Sequence, residues 1–222
     1  MNVTFLRWGA GSLALLVSAA GVTTVLAQDP SSQTSAAPAP ATEKKADPSI
    51  AQRKENQQDR IANGVKNGQL TAGETASLEK KEAAINKETS ADRAANGGKL
   101  TAAEKAQVNK QQNQVSKQIY ADKHNANTAH YGNNKVGQRR ENQQDRIAQG
   151  IKSGQLTPGE TAKLEKQQQG INKQVASDRK ANGGTLTASE KKQVNKEQNQ
   201  ASRNIYRKKH NAATQPGAKP KQ

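Results

Sequence analysis

Four copies of one short pattern constrain this chain more than any other feature. Gly68-Gln69-Leu70-Thr71 to Glu74 returns as Gly98-Lys99-Leu100-Thr101 to Glu104, as Gly154-Gln155-Leu156-Thr157 to Glu160, and as Gly184-Thr185-Leu186-Thr187 to Glu190. Each copy reads Gly-x-Leu-Thr-x-x-Glu, which ends one helix and starts the next. Glycine accepts the positive φ of a helix C-terminus. Threonine takes the N-cap, and the glutamate three residues on reaches back to the cap amide to complete a capping box. Pro158 in the third copy sits at the first helical position, where a missing N–H costs nothing.

The boxes lie inside a larger duplication. Residues 52–125 align without gaps on 138–211 at an offset of 86, with about two-thirds of positions identical. Placed between the caps, the repeat predicts three helices, Ile50–Lys66, Ala72–Ala95 and Ala102–Lys123, and the same three again 86 residues later. Ile61 and Val65, Leu78 and Ile85, and Val108, Val115 and Ile119 recur at helical spacing as one narrow apolar stripe per helix. The fold class expected is all-α, with two tandem three-helix modules at 50–125 and 138–211. Residues 126–137 read as a connector and 212–222 as a disordered tail. Only 31% of residues are hydrophobic, so each module has a thin core and gains from self-association or a partner.

The first 27 residues have the composition of an export signal: Arg7, then a mostly small, apolar run from Trp8 to Val25, then Val25-Leu26-Ala27 before Gln28. Cleavage after Ala27 and a periplasmic or secreted location are expected. Residues 28–49, rich in Ser, Ala, Pro and Thr, read as a disordered tether. Cysteine is absent, which removes disulfides and thiolate metal sites from consideration.

The Gly-x-Leu-Thr-x-x-Glu boxes resemble the second half of an EF-hand calcium loop, which implies a degenerate calcium-responsive module as one alternative. On that register loop position 1 falls on Asn63, Arg93, Gln149 and Arg179, and arginine there repels a cation. The boxes are also similar to the Leu-Thr-x-x-Gln motif of small periplasmic chaperones of the spheroplast-protein-Y type. That likeness implies a helical, cofactor-free protein that shields unfolded clients. The whole pattern, from Gln58-Asp59-Arg60-Ile61 to Ile119-Tyr120-x-x-Lys123-His124 and again from Gln144 to His210, resembles a group of uncharacterised exported bacterial proteins. That resemblance implies no activity.

No nucleophile elbow, phosphate loop or metal-spaced histidine pair is present, so the expected function is non-catalytic, without cofactor or metal. The carboxylates read as members of salt-bridged helix faces. His124 and His210 read as helix-end cations, and Tyr120 and Tyr206, beside Ile119 and Ile205, as residues at the edge of the core. Charge is uneven. The chain carries a net +16; residues 50–125 hold 13 basic against 9 acidic groups, and 136–211 hold 16 against 7. Such a field favours anionic partners: an anionic polymer, an envelope surface, or unfolded polypeptide clients held in a chaperone-like or stress-protective role. Arg139, Arg140, Lys191, Lys192, Arg203, Arg207, Lys208 and Lys209 are the candidate contacts. Beyond the first 27 residues the chain has three tyrosines and no Trp or Phe, so base stacking is poorly provided for; any nucleic-acid binding is expected to be electrostatic and salt-sensitive, and sequence-specific binding is not expected. A hydrophilin-like protectant, largely disordered in solution, is the further alternative that the low hydrophobicity allows.

Overall fold

The computed structural model describes residues 49–215, and the expected export signal, most of the tether and the end of the tail lie outside them. Six α-helices follow in order: α1 Ile50–Lys66, α2 Ala72–Ala95, α3 Ala102–Lys123, α4 Lys135–Lys152, α5 Pro158–Ala181 and α6 Ala188–Lys209. The fold is all-α, and none of the described helices is long and apolar enough to cross a membrane.

The caps set these boundaries as their chemistry requires. Thr71, Thr101, Thr157 and Thr187 each accept from the amide of the glutamate three residues later, and each glutamate accepts from the threonine amide in return. Ser49 and Gln52 make the same box at α1, which the sequence pattern did not flag. The turns before α2 and α5 share a further device. Leu70 and Leu156 fold back on α1 and α4, with their amides bonded to the Gly64 and Gly150 carbonyls at 3.0 and 2.9 Å. A Cβ on Gly64 would stand 2.7 Å from Leu70, and one on Gly150 would stand 2.6 Å from Leu156. Gly150→Ala must therefore displace a fully buried leucine. We expect a loss of about 1–3 kcal/mol, read from chemical denaturation, with Gly64→Ala matching it.

The two repeats do not pack as separate bodies; among the described residues both belong to one compact unit. A single cluster joins Ile61, Val65, Leu78 and Ile119 of the first repeat to Ile147, Ile151, Leu164 and Ile205 of the second. A smaller cluster, Val136, Ile171, Val175, Leu186, Val194 and Ala201, belongs to the second repeat alone. The most extensive helix contacts are α2 with α5, then α1 with α4, and both pairs join repeat-equivalent helices. Gly73 at the start of α2 faces Gln169 in the middle of α5, and Gly159 at the start of α5 faces Ala83 in the middle of α2. These two helices therefore run antiparallel about a local twofold, the self-complementary geometry of a symmetric dimer built within one chain. Thin modules gain their missing core from each other.

The connector and the start of the tail are built into this unit. Ala129 and Gln215, equivalent across the repeat, bond the Gly68 and Gly154 carbonyls at 2.9 and 3.0 Å. Helix α4 begins at Lys135, inside the stretch read as connector, because Asn134 caps it through the Gly137 amide at 3.0 Å. Gln215, read as part of a disordered tail, is instead buried. Its Nε2 donates to Gln58 Oε1 at 3.0 Å and to the Leu156 carbonyl at 2.8 Å.

Candidate functional site

Two features of this bundle could act on something else: a polar seam inside and a cationic face outside. The seam follows from the thin apolar stripe, which leaves polar side chains to fill the helix interfaces. Glu79, Glu82 and Glu165 are completely buried, as are Gln57, Gln112, Gln143, Gln144, Gln168 and Gln198, with Lys54 at the margin. Gln58 donates to Glu79 Oε2 at 3.2 Å, and Gln144 makes the equivalent bond to Glu165 Oε2 at 2.9 Å. Neither oxygen of Glu82 receives a hydrogen bond.

Desolvation governs these carboxyls. Burial pushes Glu79 up to about 8, helped by the nearby Glu82 and Glu165 charges and resisted by Gln58 and Lys54. Burial also pushes Glu165 up to about 8, and Glu82 to about 7 against the pull of Lys54. Lys54 is itself held below the ordinary lysine range by burial. The expectation of salt-bridged carboxylates fails at these positions. Acidic side chains facing the local twofold meet each other, Lys54 and neutral amides, and burial there favours their protonated form.

The glutamates of the four boxes have other partners. Glu74 Oε2 accepts from the Thr71 amide at 2.9 Å while its Oε1 accepts from Asn125 at 2.7 Å; Glu160 Oε1 accepts from Asn211. Glu104 and Glu190 receive the Asn96 and Asn182 side-chain amides. Among the described residues no three His, Cys, Asp or Glu side chains converge as metal ligands would. The boxes are occupied as caps.

The outer face is carried by α6. Lys191, Lys192, Lys196 and Arg203, with Asn195 and Asn199, line an open groove of about 880 Å³. Arg139 reaches the same face from α4, donating to Asn195 and Asn199. Arg203 and Arg207 donate to Gln200 and Asn204 at 2.6 Å, neutral groups that leave the guanidinium charge uncompensated. Of the acidic residues of α6, Glu190 serves its cap, while Glu197 accepts from the neutral Gln193 amide at 2.7 Å and keeps its charge on the helix.

Three of the expected contacts stand apart from this group. Arg140 is only 8% exposed and lies over the Tyr131 ring at 5.4 Å, so it braces the connector rather than facing solvent. Lys208 pairs with Glu160 at 3.6 Å. Lys209 is half-buried, its ammonium held below the usual range by burial and by Arg146. Lys196 belongs to the face and was missed, although 192, 196, 199 and 203 fall on one helical stripe that spacing alone could have shown.

The equivalent helix α3 makes a useful contrast. It keeps Lys105, Lys110, Lys117 and Lys123, but carries Ala106, Ala121 and Asp122 where α6 carries Lys192, Arg207 and Lys208. Buried positions Val108, Gln112 and Ile119 match Val194, Gln198 and Ile205. Between the repeats the packing positions largely persist while the outer face turns positive. Compared with known proteins, the chain matches no family model, no curated protein and no solved structure.

Proposed function

We propose that this chain is a non-catalytic exported protein of the bacterial envelope that binds anionic polymers along the outer face of α6. The observation that carries the reading is the cationic stripe of Lys192, Lys196, Arg203 and Arg207, whose two arginines bond side-chain amides rather than carboxylates. Such a stripe attracts a chain of negative charges and releases its counterions on binding. The small-residue apolar run of residues 1–27 supports export. An unfolded-client cradle is less well provided for, because the exposed large hydrophobics among the described residues are Tyr120 and Tyr206. The test is equilibrium binding of a fluorescent polyanion across a salt series. The reading expects affinity to fall linearly with salt on logarithmic axes; salt-independent binding or none removes it.

A further inference from the structure

Helix α6 ends in an aromatic pair that the electrostatic reading does not use. Tyr206 is 59% exposed, and the His210 ring stacks on it with centroids 4.1 Å apart and planes 24° from parallel. His210 Nδ1 is tied to the Tyr206 carbonyl at 2.7 Å, which fixes the imidazole against the phenol. The expectation that Tyr206 lies at the edge of the core is therefore corrected. Ile205 fills the core, and the adjacent position on a helix turns the ring outward.

Residues 192, 196, 199, 203, 206 and 210 follow one another at intervals of four and three, so the aromatic pair continues the cationic stripe. From Lys192 to Tyr206 the stripe runs ~21 Å at 1.5 Å per residue, long enough to follow several successive phosphates of one strand.

We propose that Tyr206, backed by His210, is a base-stacking subsite, and that the polymer bound by α6 is single-stranded nucleic acid read without regard to sequence. The proposal rests on the α6 face as the binding surface and adds the ligand class. A planar base continues a two-ring stack, while a phosphate chain offers the ring nothing and an anionic glycan presents no π-face. Stacking accepts every base, because every base has a π-face. The first repeat supplies an internal control. Tyr120 and His124 form the same stack, at 4.2 Å and 26°, with Tyr120 63% exposed. Its neighbours are Lys117, Ala121 and Asp122, a weaker field.

The experiment compares the affinities of the protein for a 20-nucleotide oligo(dT), for inorganic polyphosphate and for heparin. The proteins are the wild type, Tyr206→Ala, Tyr206→Leu, Tyr206→Phe and Tyr120→Ala, each checked for unchanged helicity. Tyr206→Ala and Tyr206→Leu are expected to lose about 5- to 100-fold for oligo(dT), with an unchanged salt slope and unchanged polyphosphate and heparin binding. Tyr206→Phe is expected to retain affinity and Tyr120→Ala to lose less. Full oligo(dT) affinity in Tyr206→Ala and Tyr206→Leu, or equal losses for all three polymers, overturns the stacking subsite and leaves the α6 face standing. A loss confined to heparin overturns it in favour of a glycan. Failure of the wild type to bind any of the three overturns both.

Discussion

At pH 9 the Glu79→Gln/Glu165→Gln double variant unfolds at higher denaturant than the wild type, while at pH 4.5 the two coincide. The reason lies in the seam. Both carboxyls are completely buried at the α2–α5 contact, each accepting one glutamine N–H, and burial raises each to about 8 from an ordinary 4.5. A raised carboxyl means that the folded protein holds its proton where the unfolded chain has released it. The stability contribution is therefore complete below the unfolded value and is lost as pH climbs through the folded one, between about 4.5 and 8. Each group accounts for roughly 3–5 kcal/mol over that window, at ~1.4 kcal/mol per unit.

Glutamine keeps the shape and an oxygen for Gln58 or Gln144 to reach, but never ionises. Gln168 already stands where the first repeat has Glu82, and it donates to Gln143 Oε1 at 3.2 Å, so an amide fits this environment. Glu82 is the less informative target, because Lys54 offers it a countercharge as it ionises. Urea midpoints measured from pH 4 to pH 9 read the effect directly. A wild type as stable at pH 9 as at pH 4.5 would show that these carboxyls ionise in the folded bundle as readily as in the unfolded chain, and would contradict their raised values.

The second large effect concerns α6. Replacing Lys192, Lys196, Arg203 and Arg207 by glutamine is expected to lower polyanion affinity on the order of 100-fold at 50 mM salt. It should also flatten the salt dependence by about 3 logarithmic units per decade, at ~0.7 for each cation lost against a single-stranded polymer. All four side chains lie outside the buried set, so the variant should unfold at the wild-type midpoint to within about 0.5 kcal/mol each. The matched control removes Lys66, Lys80, Lys87 and Lys99, four exposed cations of the first repeat. Net charge falls equally in both variants. A general attraction between a basic protein and a polyanion predicts equal losses; a binding face predicts a loss concentrated in the α6 variant.

Helix positions were legible in the sequence because capping is local. A threonine, a glutamate three residues on and a preceding glycine decide a boundary among themselves, and the stripes then follow. The arrangement of the repeats was less legible. Leu78 and Leu164 read as members of two small cores, yet one cluster contains both, because nothing in a linear pattern says whether an apolar stripe faces its own repeat or the other. The same ambiguity hid Glu79, Glu82 and Glu165. Glutamate on a helix normally reads as a solvated charge, and only the antiparallel pairing of α2 with α5 shows that these three point inward.

The cationic face was half visible. Lys191, Lys192 and Arg203 read as exposed and are, while Arg140 turned inward because the connector lays Tyr131 across it. Its equivalent is Lys54, also buried, so this position serves the seam in both repeats.

The central claim, that an anionic chain lies along α6, is tested most directly by amide chemical-shift mapping of the protein titrated with a short anionic oligomer at low salt. The account predicts saturable shifts concentrated between Lys191 and Tyr206, with Arg139 opposite. Shifts centred instead on the groove of Arg53, Asp59 and Arg60 beside α1, or spread evenly over the lysines of both repeats, would contradict it.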